Sequence, residues 1–312
     1  ATMGTMVAVA LPEMEKRRYK PGLSTAAIAA GASLAVLIPP SATLIIYGVI
    51  AEESIGRLFI AGIIPGILLM VLQVIAIYIV VKRDPLAAPI SERATWPERW
   101  AALRRGGLIE VVIIFSLSIG GMFLGWFTPT EAASVGAMGM LLVGLVERKI
   151  NWQKLMTSLV ACAKLAAMVF FIITCGTLFG RMFTISRIPT TLATYVAEMD
   201  VAPWILMGAI LLLYFVMGMF IDGIAMILIT VPIFKPILSG LGYDGVWYGV
   251  LIVLVLCLGG LIPPVGLNCF YMKGFAKHVP LSTIFSGVWP FVIAIVLAMI
   301  IIMIFPDLVT WL

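Results

Sequence analysis

The sequence predicts an all-α integral membrane protein whose helices are interrupted near the middle of the bilayer. Of its 312 residues, 62% are hydrophobic and 11% are charged, whereas a soluble domain carries roughly 25% charged residues. The apolar segments exceed the roughly 20 residues that a membrane helix needs, and they lack the alternation of a membrane β-strand. The sequence Leu-Ile-Pro-Pro occurs twice inside such segments, at 37–40 and 261–264.

The two Pro-Pro pairs predict two broken helices. Adjacent prolines remove two backbone donors and clash with the preceding turn, so a helix cannot pass unbroken through Pro39-Pro40 or Pro263-Pro264. In hydrocarbon, the backbone groups released by a break need protein, water or a bound ion as partners. A matched pair of breaks is typical of a secondary transporter with its sites at the membrane midplane. The alternative is that both proline pairs only bend packed helices.

The first part of the chain alternates apolar segments with polar loops. It comprises an apolar arm, a basic loop, the first broken span, a returning span, and a polar loop with an interfacial amphipathic piece: residues 1–14, 16–20, 23–50, 55–81 and 82–105. The arm is predicted to end in a proline-containing turn at Leu11-Pro12-Glu13-Met14, and the equivalent arm of the second half in one at Val231-Pro232-Ile233-Phe234. Because Ala1 is not an initiating Met and no signal-peptide pattern follows it, we expect an N-terminal portion to be missing from this chain.

The second part follows the same style of alternation. It comprises three spans, an amphipathic connector, a long apolar segment, the second broken span and a last span: residues 108–127, 130–146, 155–180, 184–199, 203–234, 246–272 and 288–305. Between the first two of these spans, Thr128, Pro129 and Glu131 match a capping box. Glu131 is therefore interpreted as a structural cap in preference to a proton carrier.

The distribution of basic residues predicts the orientation of the chain. Four loops together hold 15 of the 20 Lys and Arg residues, and they are expected to face the cytoplasm: 16–20, 82–105, 148–154 and 273–277. The turn before the first broken span carries four basic residues, whereas the equivalent turn at 239–245 carries none. Equivalent segments therefore lie on opposite sides of the membrane, which predicts an inverted repeat.

The apolar segment 203–234 is predicted to be re-entrant. It is 32 residues long, it is interrupted at Gly218–Gly223, and both of its ends are assigned to the same side of the membrane. Such a hairpin tip would lie at membrane depth, where a carboxylate such as Asp222 is a functional hypothesis. The alternative is that Asp222 only serves a helix terminus or a backbone amide. Lys235 or Arg181 could also neutralise it.

Other classes of function find little support in the residues. The basic residues cluster at segment ends, as membrane topology requires, and do not indicate nucleic-acid binding. The chain has a single histidine, and its four cysteines lie in apolar runs without metal-binding spacing. It contains no phosphate-binding loop, no paired-histidine zinc motif and no nucleophile elbow. An enzyme is therefore not predicted.

Three motifs give the chain a specific resemblance. They are Leu-Ile-Pro-Pro-Ser at 37–41, Gly-Trp-Phe-Thr-Pro-Thr-Glu-Ala-Ala at 125–133, and Gly-Leu-Ile-Pro-Pro-Val-Gly-Leu-Asn at 260–268. They resemble signature segments of the large membrane subunit of tripartite ATP-independent periplasmic (TRAP) transporters, and the similarity runs along essentially the whole chain. The opening residues 1–14 resemble the stretch after the first re-entrant hairpin tip of that family.

The resemblance implies an inverted-repeat, elevator-type transporter in the bacterial inner membrane, coupled to Na⁺. The implied cargo is an organic acid anion, either a C4-dicarboxylate or a sialic-acid-like compound. The implied partners are a small four-helix membrane subunit and a periplasmic substrate-binding protein. The alternatives are a carboxylate carrier coupled to Na⁺ or H⁺ that works without a binding protein, and a channel or structural membrane subunit.

The resemblance also implies two Na⁺ sites. The first would use Pro39, Pro40 and Ser41 together with a Ser-rich hairpin tip that this sequence lacks, so that site would be incomplete. The second would combine six residues: Gly218, Asp222, Pro263, Pro264, Gly266 and Asn268. Ser41, Thr43 and Asn268 would orient the carboxylate through hydrogen bonds.

The same resemblance divides the chain into five segments. Residues 1–54 and 200–277 would form the transport domain, each segment with a hairpin arm or hairpin and a broken helix. Residues 55–107 would provide a scaffold helix with the amphipathic linker, and 108–199 the scaffold helices and arm of the second repeat. Residues 278–312 would form a C-terminal arm and scaffold helix.

Overall fold

A computed structural model of the chain describes residues 2–89, 95–105, 107–188, 191, 194–195 and 202–311. Fourteen α-helices lie within these ranges: α1 Thr2–Lys16, α2 Pro21–Leu34, α3 Ala42–Ala51, α4 Ile55–Arg83, α5 Trp96–Arg105, α6 Leu108–Phe123, α7 Pro129–Val146, α8 Trp152–Ile185, α9 Pro203–Gly218, α10 Gly223–Gly240, α11 Gly245–Gly259, α12 Leu267–Phe275, α13 Leu281–Ile304 and α14 Asp307–Thr310. The described ranges contain no β-strand, which confirms the predicted all-α class.

Five of the described helices are long and apolar enough to cross a membrane: Ile55–Arg83, Pro129–Val146, Trp152–Phe183, Gly223–Gly240 and Leu281–Ile304. Four shorter apolar helices accompany them: Ala42–Ala51, Leu108–Phe123, Pro203–Gly218 and Gly245–Gly259. Each of these short helices begins or ends at one of the breaks or turns of the chain. The fold is that of an all-α integral membrane protein.

Both predicted broken helices are present. The first consists of α2 and α3, which are separated by residues 35–41, and the second consists of α11 and α12, which are separated by residues 260–266. The Pro39-Pro40 and Pro263-Pro264 peptide bonds are cis. The breaks fall where the prolines remove backbone donors, as the sequence predicts.

A helical hairpin is present at the segment predicted to be re-entrant. Its arms are α9 and α10, which pack against each other and against α11. The 16 residues of α9 rise about 24 Å, which is less than the roughly 30 Å of a hydrocarbon core. The chain turns at residues 219–222, inside the predicted apolar segment.

The packing of eight helices has the symmetry of a two-fold repeat. Helices α1 to α4 correspond in order to α10 to α13, with a broken helix second and third in each set. When each helix is replaced by its counterpart, a contact in the structure becomes another contact in the structure. The α2–α13 contact corresponds to α11–α4, the α3–α10 contact to α12–α1, and the α2–α12 contact to α11–α3. The α1–α2 and α3–α4 contacts likewise have α10–α11 and α12–α13 as counterparts. Together with the unequal charge of their turns, this exchange supports the inverted repeat.

Two polar side-chain pairs join the two repeats. The loop after α3 contributes Glu53, whose Oε1 lies 3.0 Å from Lys235 Nζ on α10. The loop after α12 contributes His278, whose Nε2 lies 3.0 Å from Glu15 Oε1 on α1. The first pair is mostly buried, whereas the second is largely exposed. The two pairs therefore differ in both burial and chemistry.

The contacts divide the chain into two compact units. One comprises Ala1–Ile90 with Gly176–Leu312, and the other comprises Ser91–Cys175. In the second unit α5 packs on α6 and α6 packs on α7. The predicted capping box at the start of α7 is confirmed, because the Glu131 carboxylate accepts from Thr128 N while the Thr128 hydroxyl accepts from Glu131 N.

Two predicted turns are wrong. Pro12 lies inside α1 and Pro232 lies inside α10, where turns were expected. A single proline removes one hydrogen bond and can bend a helix without ending it when neighbouring helices hold the flanking turns. Here α1 packs on α2 and α12, and α10 packs on α3, α9 and α11.

Two element boundaries differ from the predictions. The last spanning helix begins at Leu281 instead of residue 288, because Pro280 occupies the N-cap position and Pro290 is accommodated inside the helix. Helix α8 continues to Ile185, into the predicted amphipathic connector 184–199. Most of that connector lies outside the described residues.

Candidate functional site

The second break presents backbone oxygen atoms that the protein does not use. The carbonyl of Gly260 accepts from Asn268 N at 2.9 Å, and that of Leu261 accepts from the Cys269 thiol at 3.4 Å. The described part of the chain directs no hydrogen bond to the carbonyls of residues 262–265. Because carbonyl groups at membrane depth need partners, these oxygens are available to a ligand or water. Pro263 is half-buried and Pro264 is exposed.

Gly266 sets the direction in which α12 leaves this break. It occupies the N-cap position with a φ of 56°, in the left-handed region that favours glycine. A Cβ there would lie 2.8 Å from the Phe285 ring and 3.1 Å from the Ile262 carbonyl oxygen. Glycine is therefore required for both its conformation and its size.

The first break has the same arrangement with a side-chain cap. The Ser41 hydroxyl donates to the Val36 carbonyl and accepts from Leu44 N at 3.3 Å, so it closes the break and caps α3. No hydrogen bond from a described residue reaches the carbonyls of residues 37–40. Helix α4 lies directly behind, since a Cβ at Gly62 would lie 2.8 Å from the Leu37 oxygen.

The tip of the re-entrant hairpin contacts the second broken helix. Gly218 ends α9 and Gly259 ends α11, and a Cβ built on Gly259 would lie 2.7 Å from the carbonyl carbon and oxygen of Gly218. The backbones can approach this closely because neither residue has a side chain. Gly218 is buried, and its carbonyl accepts no hydrogen bond from the residues that the structure describes. The predicted proximity of the tip to the second break is therefore present.

Asp222 has the structural role that the sequence left open as the alternative. Its Oδ1 accepts from Ile224 N at 3.0 Å, so it caps α10, and the residue is exposed. Lys235 does not neutralise Asp222, which the sequence left open as a possibility, because Lys235 pairs with Glu53. Capping is compatible with a metal-binding role, which stays a prediction.

Two of the three residues predicted to orient a substrate have side chains that already bind protein partners. The buried Ser41 uses its hydroxyl within the first break, and the Asn268 amide donates to Ser33 Oγ at 2.8 Å. Thr43 is half-buried at the start of α3. Their role toward a substrate stays a prediction.

Ser33 is a member of the site that the sequence analysis missed. Its hydroxyl oxygen accepts a hydrogen bond from the Asn268 amide, and its carbonyl oxygen accepts one from the Cys257 thiol at 3.2 Å. Ser33 and Cys257 each lie four residues before a Leu-Ile-Pro-Pro motif. They are thus equivalent positions of the two repeats in direct contact. The signal was available in the sequence, because the repeat offset of 224 residues aligns the two positions.

A buried hydroxyl network attaches the hairpin to its neighbours. Thr230 on α10 donates to Tyr214 on α9 at 2.5 Å, and the Tyr214 hydroxyl lies 2.8 Å from that of Tyr248 on α11. Tyr47 on α3 packs edge-on against Tyr248 and donates to the Gly245 carbonyl at 2.5 Å. Breaking such a fully buried network leaves polar groups without partners. The hairpin is therefore held firmly to α11, and α11 to α3.

A bound cation at the breaks would rely mainly on backbone oxygen. Among the residues that the structure describes, no group of three or more His, Cys, Asp or Glu comes together. Carbonyl oxygens suit hard cations. The C-terminal end of α11 leads into the second break, and the negative end of a helix dipole favours a cation there.

Two interrupted helices, a re-entrant hairpin and a two-fold repeat define a multi-pass membrane protein of the transporter class. Residues 1–308 match the family model described as "Tripartite ATP-independent periplasmic transporter, DctM component". The chain belongs to this family, as the resemblance indicated.

Curated relatives agree with the family assignment. The chain is 33% identical to the C4-dicarboxylate TRAP transporter large permease protein of Pseudomonas aeruginosa, over 98% of this chain and 71% of that protein. It is 35% identical to the ectoine TRAP transporter large permease protein of Halomonas elongata, over 100% and 73%. It is 32% identical to the sialic acid TRAP transporter large permease protein of Vibrio cholerae, over 98% and 71%.

One solved structure is similar in fold. The crystal structure of the Alcanivorax borkumensis YdaH transporter aligns with a TM-score of 0.53 at 16% identity, over 99% of this chain and 68% of that one. At this identity the likeness concerns the fold alone. The relatives are transporter permeases, and this chain is accordingly a multi-pass membrane permease of the TRAP type.

Proposed function

We propose that this chain takes up an organic acid anion across the bacterial inner membrane, driven by Na⁺. Its partners would be a small four-helix membrane subunit and a periplasmic substrate-binding protein. The observation that carries the proposal is the pair of breaks whose carbonyl oxygens accept no hydrogen bond from the described residues. The names of the relatives, which include C4-dicarboxylate and sialic acid permeases, support the substrate class.

The proposal includes two Na⁺ sites, one at each break. Pro39, Pro40 and Ser41 would contribute to the first site. The second would be formed by the hairpin tip and the second break: Gly218, Asp222, Pro263, Pro264, Gly266 and Asn268. Na⁺ is a hard cation, and unwound carbonyls with helix C-termini are suitable ligands for it.

The substrate would lie between the two sites. Helices α3 and α12 both begin directly after a break, and the positive ends of their dipoles favour a carboxylate. Ser41, Thr43 and Asn268 would orient it. The attachment of the hairpin to α11 and α3 supports their movement as one body, as an elevator mechanism requires.

Reconstituted transport tests this function. Proteoliposomes containing the chain and its small subunit should accumulate labelled succinate or N-acetylneuraminate only when an inward Na⁺ gradient and the periplasmic binding protein are both supplied. Uptake that is independent of the binding protein would instead favour a carrier that works alone. Unitary currents across a planar bilayer would favour a channel.

Substitution of Asp222 separates its two roles. Asp222→Asn keeps an oxygen that can accept from Ile224 N, so α10 stays capped. It removes the negative charge, so the Na⁺ concentration for half-maximal uptake should rise about tenfold, the effect of losing one charge-assisted contact. Assembly with the small subunit, measured by co-purification, should be unchanged. Wild-type Na⁺ activation in this variant would refute a metal-binding role for Asp222.

A further inference from the structure

A cavity separate from the two breaks lies where α3 ends beside α10. Its volume is about 500 Å³, and its walls come from the end of α3, the second half of α10, and the part of α8 that begins at Gly176. Two cationic side chains line it, Arg181 and Lys235, together with the hydroxyl-bearing Ser239. Pockets of roughly 300–1,000 Å³ suit small organic ligands. This cavity is at the end of the bundle that the basic loops predict to be periplasmic.

Lys235 is held in the cavity wall by an internal carboxylate. Its Nζ lies 3.0 Å from Glu53 Oε1, and it also donates to the Ala51 carbonyl at the C-terminus of α3. The side chains of Lys235 and Glu53 are 25% and 19% exposed, so the pair is partly desolvated, and Lys235 itself lines the cavity. A carboxylate thus already occupies the position beside Lys235 that an incoming acid would take.

Glu53 has a second source of stabilisation that does not involve Lys235. Its carboxylate lies against Gly245, the first residue of α11, where a Cβ would overlap it. The positive end of the α11 dipole favours a carboxylate at this place. Asp244 also lies there, and it caps α11 and pairs with Arg57 at 3.7 Å. Glu53 can therefore remain in a favourable place when Lys235 turns to another partner.

The remaining charges of the cavity are Arg181 and Glu52. Arg181 is exposed and makes no ion pair with any described residue. Glu52 caps α3 with a left-handed φ of 54° and is also exposed. Arg181 is the side chain best placed to attract an anion, because the other cation is already neutralised.

We propose that this cavity is a carboxylate-binding site in which Lys235 exchanges Glu53 for a carboxylate of the incoming acid. The carboxylate class of the ligand rests on the proposed function. Arg181 attracts the anion, and Lys235 binds it after leaving Glu53. The exchange also breaks the ion pair between Lys235 on α10 and Glu53 after α3, so occupancy of the cavity removes one of the contacts between the two repeats at this end.

Thiol protection measures binding in this cavity without requiring transport. The full chain with its small subunit is reconstituted with Ser239→Cys as reporter and with the two exposed native cysteines replaced, Cys162→Ser and Cys175→Ser. The reporter is labelled with an anionic and with a cationic methanethiosulfonate reagent. Succinate and N-acetylneuraminate should slow the labelling, whereas the uncharged succinamide should not.

Three substitutions should shift this protection in defined directions. Lys235→Gln and Arg181→Gln should each raise the succinate concentration for half protection about tenfold, the effect of one charge-assisted hydrogen bond. Both should also reduce the preference for the anionic reagent. Glu53→Gln removes the internal competitor and should lower the half-protecting concentration. Lys273→Gln, on α12 and outside the cavity, is the matched control and should change nothing.

The outcomes distinguish this site from a structural ion pair. If Glu53→Gln and Lys235→Gln only lower thermal stability and leave succinate protection unchanged, the proposal is overturned. Protection by succinamide equal to that by succinate also overturns it. Protection without Na⁺-driven uptake would support the site while refuting the proposed function, and uptake without protection by either acid would refute the site alone.

Discussion

Replacing Pro263 and Pro264 together by alanine is expected to abolish Na⁺-driven uptake while the protein still folds and inserts. Alanine restores two backbone donors and removes the steric clash, so α11 can extend into α12. The carbonyls of the break then enter i→i−4 hydrogen bonds and are lost as ligands, and no side chain replaces them. If the prolines only bend the helix, the same variant should be modestly more stable and should transport nearly as well.

Two measurements check this result in parallel. Labelled uptake should fall to background, and Na⁺ should no longer raise the thermal stability, which in the native protein should gain about 2.7 kcal/mol at a Na⁺ concentration 100 times the dissociation constant. Pro290→Ala is the matched control, because Pro290 lies inside the continuous helix α13. Wild-type uptake in the double variant would indicate that the two Leu-Ile-Pro-Pro motifs only bend their helices.

The equivalent change at the first break tests whether the two sites are separate. Pro39→Ala with Pro40→Ala should remove only the oxygens of that break. Each double variant should therefore lower the Hill coefficient for Na⁺. A coefficient that stays at the wild-type value in both would indicate that the breaks do not hold separate ions.

Gly259→Ala is expected to have the second largest effect, on both stability and transport. The new methyl group would lie 2.7 Å from the backbone carbon and oxygen of Gly218, and backbone atoms cannot rotate away as a flexible side chain can. Overpacking of this kind costs about 1–3 kcal/mol. The hairpin tip must move away from the second break, so uptake should fall further than stability alone explains.

Gly208→Ala provides the control for this substitution. Gly208 lies in the first half of α9, and a Cβ there would have no atom within 4 Å. The Gly208→Ala substitution should stabilise the helix slightly, by up to about 1 kcal/mol. Thermal unfolding in detergent and the Na⁺ concentration for half-maximal uptake should both be measured. Equal behaviour of the two alanine variants would show that the contact between the tip and the break is dispensable.

The features that the sequence predicted correctly are those decided by local chemistry. A Pro-Pro pair breaks a helix whatever surrounds it, and the Thr128–Glu131 box caps α7 with atoms three residues apart. The single prolines Pro12 and Pro232 were misjudged because packing against other helices decides whether a helix continues past one proline.

The site was less predictable because its contacts join distant parts of the chain. Lys235 and Glu53 are 182 residues apart, and only the folded repeat brings them together. Ser41 has the helix-capping chemistry that its residue type favours, but its engagement with Val36 depends on the shape of the break. Pairings of this kind leave no periodic signal in a sequence.

The exchange symmetry of the helix contacts bears on the energy difference between opposite-facing conformations. When alternating access interchanges the shapes of two related repeats, both conformations draw on nearly the same inventory of packing contacts. Their packing energies then almost cancel, and a bias of a few kcal/mol can reverse the populations. Such a bias arises where the two repeats differ. Two such places here are the mostly buried Glu53–Lys235 pair at one end and the exposed Glu15–His278 pair at the other.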